Sequence, residues 1–474
     1  MITSTPAADG PRVHTSFNTG YVWRISVIAA LGGLLFGYDW VVIGGAKPFF
    51  ERYFHLTQAT QSGWANSCAL VGCLLGALLA GALSDKFGRK RLLIFSAFWF
   101  AVTSVGNAVA PTFTIFVAWR ILGGVAIGLA SNLSPMYIAE VAPAGLRGRL
   151  VSINQLTIVI GILLAQTVNW YITRKLPQGI SAEELLASWY GQTGWRWMFA
   201  FTAVPALFFF AGMFSVPESP RWLVKNGRSD SARLILTRIG GEAYSQSEVY
   251  DVQNTLTTQE IQRVRFADLL DRRMFRVLVL GVVLAVFQQW CGINVIFNYA
   301  EEIFRAAGYD ISDVLKNIAW TGSVNLVFTL VALGVVDRGG RRVLMLVGSA
   351  GLAVIYTVLG FCYHSGVKGW PMLVLVLSAI GCYAMSLAPV TWVVISEIFP
   401  NRIRGAAMSV AVSSLWVACF ILTYTFPILN RSFGPAGTFW LYAAICAAGL
   451  VFIALKLPET KGKSLEQLEK ELVE

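Results

Sequence analysis

Twelve apolar stretches, each long enough to cross a bilayer as a helix and each closed by charge, glycine or proline, constrain this chain more than any other feature. A hydrocarbon layer of ~30 Å requires roughly 20 apolar residues of helix. In the first half such stretches lie near 22–45, 64–84, 92–110, 113–136, 150–172 and 197–216; in the second, near 274–300, 317–336, 343–363, 370–396, 405–427 and 437–457. In lipid every backbone N–H and C=O must find its partner inside the protein, and runs of this length do so as helices. Composition excludes the soluble alternative: of 474 residues 56% are hydrophobic and 13% charged, against about 25% charged in soluble domains. The expected fold class is an all-α integral membrane protein of twelve transmembrane helices.

The net charge of +11 does not indicate nucleic acid, because Lys and Arg sit in short clusters between apolar runs and not along one polar face. Basic residues in short loops mark the cytoplasmic side. Lys86, Arg89, Lys90 and Arg91 follow span 2, Arg147 and Arg149 span 4, Arg338, Arg341 and Arg342 span 8, and Arg402 and Arg404 span 10. Even-numbered exits are then cytoplasmic, which places both termini inside a plasma membrane, the inner one if the source is bacterial. Met1–Thr19 lacks the charged start and apolar core of a signal peptide. The expected organisation is a lead-in (1–20), a six-helix bundle (21–216), a cytoplasmic helical linker (217–273), a second six-helix bundle (274–457) and a cytoplasmic tail (458–474). The seven cysteines fall in or beside apolar segments without metal-ligand spacing, as small packing residues do.

The halves repeat each other. Asp85-Lys-Phe-Gly-Arg89-Lys90 after span 2 recurs as Asp337-Arg-Gly-Gly-Arg341-Arg342 after span 8, and Glu140 to Arg147-Gly148 recurs as Glu397 to Arg404-Gly405, with the same seven-residue gap. Pro217-Glu218-Ser219 after span 6 is echoed by Pro458-Glu459-Thr460 after span 12. Parallel repeats of this kind are a transporter feature. Carboxylates and guanidiniums at helix ends can form charge-assisted pairs between the halves when the cytoplasmic side is shut. Orientation alone needs no acidic residues, which favours gating over loop orientation.

Ionisable groups inside a span are costly and usually functional. Asp39, in Phe36-Gly-Tyr-Asp39-Trp40, is the clearest, and Arg120 of span 4 is its best partner. Asp39 is expected to alternate between an Arg120 ion pair and a protonated acid; a permanent salt bridge is the competing interpretation. Amides form a second set: Gln155, Gln288, Gln289, Asn294 and Asn325, with Trp392 and Trp416. An amide offers donor and acceptor, as a sugar hydroxyl requires, and a Trp face suits the C–H surface of a pyranose. Gly292 before Asn294 and Pro389 before Trp392 allow both helices to break near the midplane, as transporter helices do.

Taken together, these motifs resemble the sugar porters of the major facilitator superfamily, which include bacterial proton-coupled xylose and hexose symporters and facilitative glucose transporters. The similarity spans nearly the whole chain and rests on Arg120-Ile-Leu-Gly-Gly, Pro217-Glu-Ser-Pro-Arg221, Gln288-Gln-Trp-Cys-Gly-Ile-Asn294, Asp337-Arg-Gly-Gly-Arg341 and Pro458-Glu-Thr460. It implies two pseudo-symmetric six-helix bundles. It also implies a sugar site lined by Gln155, Gln288, Gln289, Asn294, Asn325, Trp392 and Trp416 with Phe36 beside it, and Asp39 and Arg120 as the proton-coupling pair. Arg89, Glu140, Arg147, Glu218, Arg341, Glu397 and Arg404 would form the cytoplasmic gate. The chain departs from the family pattern at Leu415, where an amide is frequent, at Asn298, in place of one of two adjacent tyrosines, and at Trp40, in place of a smaller residue.

The expected function is import of a pentose or hexose by proton symport through alternating access. A passive facilitator, a symporter of an inositol and, remotely, a sugar receptor are the alternatives. No enzyme is expected, since His14, His55 and His364 are scattered and neither a metal set nor a catalytic triad is arguable. The expected partners are a monosaccharide, a proton as coupling ion and the bilayer, without cofactor, metal or nucleic acid, and with the monomer as the working unit.

Overall fold

The computed structural model describes residues 17–177, 179–261, 271–399 and 404–461. Among them every apolar stretch is helical. Spans 1 to 6 are Thr19–Tyr53, Ala59–Phe87, Arg89–Val109, Phe113–Val141, Ala144–Thr173 and Tyr190–Phe214. Spans 8 and 9 are Ile311–Gly339 and Arg341–His364. The last two apolar stretches form one run, Arg404–Lys456, in which Gly434 stands at φ 68°, ψ 174° and divides spans 11 and 12. With that division the spans number twelve, six to a half.

Spans 7 and 10 are broken, for local reasons. Gly292 adopts φ 86°, ψ −3°, a left-handed conformation that costs glycine little. It separates Arg272–Trp290 from Ile293–Asn298, and a further turn, Ala300–Ala306, follows. In span 10, Trp370–Met385 gives way to Leu387–Ile398 at Ser386 (φ −124°, ψ −86°). Pro389 lies three residues on; it cannot donate a backbone hydrogen bond, and its ring clashes with the carbonyl one turn back.

Within the first half, span 1 packs on span 5 and span 2 on span 4; within the second, span 9 packs on span 12 and span 8 on span 10. The halves meet through span 2 against span 11 and span 5 against span 8, where Gln166 Nε2 donates to Thr321 Oγ1 at 3.1 Å. The halves also pack together at the end remote from the basic loops. There Phe49, Phe50, Phe116 and Trp195 of the first half share one buried apolar cluster with Ile293, Ile296 and Phe297 of the second. A Cβ at Gly44 would collide with the Phe297 carbonyl, so span 1 can approach the broken span 7 this closely only as glycine. Between the halves in sequence lie the short helix Pro220–Lys225 and the helical run Ser229–Ile261, which Gly241 (φ 83°, ψ 177°) divides in two.

Candidate functional site

Phe36, Asp39 and Trp40 project from one face of span 1, because residues three and four apart in a helix are neighbours. Asp39 is 6% exposed and Arg120, from span 4, 3%. Arg120 Nη1 donates to Asp39 Oδ1 at 2.6 Å, and the guanidinium stands 5.6 Å from the Phe199 ring. The expected pair is therefore formed, wholly within the first half and shielded from water, where a lone charge would be expensive. A small cavity of about 20 Å³ adjoins it, lined by Phe36, Asp39, Trp40, Asn66, Arg120 and Asn298 among others.

The second half gathers the amides around its two helix breaks. The turn at Gly292 folds Asn294 back so that its Nδ2 donates to Gln289 Oε1. Gln289 Nε2 reaches Gln288 Oε1 at 3.4 Å, and Gln288 Nε2 donates to the Ala388 carbonyl at 3.3 Å, next to the break in span 10. One chain of polar contacts thus runs from span 7 to span 10. Asn294 Nδ2 also lies 3.8 Å from Cys419 Sγ, one turn along span 11 from Trp416. The Trp416 ring meets Phe36 of the first half edge-on at 5.7 Å, and Phe36 meets Trp40 at 5.8 Å. Gln155 and Asn325 stand on the contacting spans 5 and 8 with no hydrogen-bond partner among the described residues, and Trp392 is 39% exposed. Buried and half-buried amides beside aromatic faces are suited to a polyhydroxylated ligand.

At the basic end each half builds the same charge arrangement. Arg89 grips Glu140 with two parallel bonds, Nε to Oε2 and Nη2 to Oε1, each 3.0 Å, and Ser219 Oγ donates to Glu140 at 2.5 Å. Glu218 accepts from the backbone N–H of Arg89 (2.9 Å) and Lys90 (3.0 Å), so it caps the start of span 3. In the second half, Arg341 pairs with Glu397 at 3.5 Å, and Glu459 accepts from the N–H of Arg341 (2.9 Å) and Arg342 (3.2 Å) at the start of span 9. Burial works to raise the Glu459 carboxyl, but its backbone donors prevail and hold it below its ordinary value. These pairs join spans of the same half. Arg147 is exposed and lines an open cavity of about 750 Å³ with Arg89, Glu140 and Arg221. The side chain of Arg404 lies outside the described residues.

An ionic contact between the halves was not among the sequence expectations. Span 1 runs to Tyr53, well past the expected end at 45, and carries Lys47 into the contact between the halves, where it is 2% exposed. Lys47 Nζ donates to Glu302 of the second half, lies 3.7 Å from Glu51, and sits 4.9 Å from the Tyr299 ring. The available signal was a lysine followed by Pro48-Phe49-Phe50, apolar residues that prolong the span.

Two six-span halves, broken helices at the centre, a buried acid–base pair and matched charge clusters at one end define a multi-pass membrane transporter of the major facilitator fold. The chain belongs to the sugar (and other) transporter family, whose model matches residues 25–472. It is 38% identical to the D-xylose-proton symporter of Escherichia coli (96% of this chain, 97% of that one). It is 40% identical to the glucose transport protein of Synechocystis (96% and 98%) and 36% identical to the arabinose-proton symporter of Bacillus subtilis (98% and 99%). Among solved structures, the inward open conformation of the Escherichia coli xylose transporter superposes with a TM-score of 0.82 at 36% identity, covering 95% of this chain and 100% of that one.

Proposed function

We propose that this chain imports a monosaccharide by proton symport. The observation that carries the proposal is the 2.6 Å Asp39–Arg120 pair buried in the first half, next to the Phe36–Trp416 contact that joins it to the amide-bearing half. In this mechanism Gln155, Gln288, Gln289, Asn294 and Asn325 bond the sugar hydroxyls, while Trp392, Trp416 and Phe36 cover its apolar faces. Asp39 takes up a proton from outside, releases Arg120, and permits the first bundle (21–216) and second bundle (274–457) to pivot about the sugar. The linker (217–273) and both termini lie in the cytoplasm. Arg89, Glu140, Arg147, Glu218, Arg341, Glu397 and Arg404 form the gate there, rearranging from pairs within each half to contacts between halves as the inner side closes. The closed remote end and the similarity to an inward open relative support the assignment of the present state as outward-closed. The protein acts as a monomer in the plasma membrane.

Reconstituted into proteoliposomes, the protein is expected to accumulate a labelled pentose or hexose above equilibrium when an inward proton gradient is imposed, and only to equilibrate it without one. Equilibration alone under both conditions would identify a passive facilitator. A panel containing xylose, arabinose, glucose and myo-inositol, substrates named by its relatives, assigns the sugar.

A further inference from the structure

The small cavity beside Asp39 is built from four elements: Asp39 on span 1, Asn66 on span 2, Arg120 on span 4, and Asn298 at the end of the broken span 7 in the other half. Its volume of about 20 Å³ matches a single water molecule, which needs roughly 10–15 Å³ of this measure. Three buried polar atoms of these lining residues have no partner among the described residues: Asn66 Oδ1, Asn298 Oδ1 and Arg120 Nε. Asn66 and Asn298 are 4% and 3% exposed. Asn66 Nδ2 is already committed to the Ser62 carbonyl at 2.9 Å, which fixes its oxygen as the free atom.

We propose that this cavity is a one-water site that bridges the Asp39–Arg120 pair to Asn66 and to Asn298 of the opposite half, which makes both asparagines positioning residues for proton coupling. The inference rests on the symport reading above. The bonding balances: two amide oxygens accept the two hydrogens of one water, and Arg120 Nε–H donates to one of its lone pairs, the three bonds typical of a buried water. The second lone pair is left to accept the O–H of Asp39 once that acid is protonated and its arginine released. The water therefore favours neutral Asp39. Because Asn298 travels with the second half, moving that half away from span 1 takes the site apart and exposes Asp39 to the outer solution. The other titratable groups facing Asp39 are Cys68 and Cys73 on span 2, and neither supplies a charge of its own at neutral pH.

The test uses proteoliposomes of the full-length protein with wild type, Asn66→Leu, Asn298→Leu, the double variant and Asn298→Ser. Sugar counterflow, which needs no net proton movement, checks that each variant is folded and binds sugar. The readout is the external pH at half-maximal proton-driven accumulation. Each leucine substitution is expected to lower this midpoint by about one pH unit, a tenfold loss of proton affinity. The double variant should move it no further than the larger single shift, because a shared water is lost only once. Asn298→Ser, which keeps an acceptor, should stay within about threefold of wild type. A rise in midpoint, which desolvation by leucine alone would give, an additive double shift or an unchanged midpoint overturns the proposal. A wild-type protein that shows no proton-driven accumulation refutes the symport reading instead.

Discussion

At the residue scale, a buried aspartate held at 2.6 Å by a buried arginine can change state only by taking up a proton or by leaving its partner. Asn at position 39 imitates the protonated acid and has no proton to release. Asp39→Asn is expected to abolish uphill accumulation and sugar-induced alkalinisation while sugar counterflow persists; undiminished uphill uptake would remove Asp39 from the coupling step. On the sugar side, Gln288 sits at the centre of the amide chain, with Gln289 on one side and Ala388 on the other. In the proposed site, truncation leaves both a substrate hydroxyl and a neighbouring amide unpaired, at about 1–3 kcal/mol for each buried group. Gln288→Ala should therefore weaken sugar binding by roughly tenfold or more in a titration of purified protein, and wild-type affinity would place the sugar elsewhere.

At the scale of helices, the breaks at Gly292 and Ser386 bring the amides of the proposed site together, with Gln288 of span 7 reaching the Ala388 carbonyl beside the break in span 10. Beyond the first break, the turn Ala300–Ala306 presents Glu302 to Lys47 across the halves, and Tyr299 adds its ring face to the same ammonium. This contact must part whenever the outer side opens. Removing a charge-assisted bond of this kind costs about 1.5–3 kcal/mol, and Glu302 keeps 27% of its side chain exposed, so the value belongs near the low end. Lys47→Met is expected to shift the population toward outward-open. Spin labels on cysteines replacing Thr60 and Ser432, at the ends of spans 2 and 11 remote from the basic loops, should then report a longer-distance population several-fold larger than in wild type. An unchanged distance distribution would show that apolar packing alone holds this end shut.

For the whole molecule, the two halves share their end charges and differ in their centres. Glu218 caps span 3 and Glu459 caps span 9 by the same backbone bonds, yet the first half holds the acid–base pair and the second most of the amides. In the proposed mechanism a rocking motion between them couples proton entry to sugar entry. An inward proton gains about 2.3 kcal/mol per 100 mV, roughly fortyfold in concentration ratio, before any pH gradient is added. The cap at Glu459 has its own pH signature. Its carboxyl is held below its ordinary value, so the stabilisation of the span 9 terminus is present at neutral pH. It is lost only as pH falls through that lowered value, outside the working range of transport.

Class, number of crossings, repeat and the polar residues that the membrane would not otherwise tolerate were readable along the chain alone, because lipid leaves an apolar run of this length only one backbone solution. Asp39 and Arg120 were legible for the same reason, as charges in stretches where charge is costly. Pairings that depend on how two halves approach were not. The extension of span 1 that buries Lys47 against Glu302, the assignment of Glu140 to Arg89, and the meeting of Asn66 and Asn298 beside Asp39 join residues on separate helices, from 27 positions apart (Asp39 to Asn66) to 259 (Asp39 to Asn298). No local pattern encodes such contacts. They follow from the close approach of helices at positions such as Gly44 and from the breaks that redirect spans 7 and 10, which only the packed structure decides.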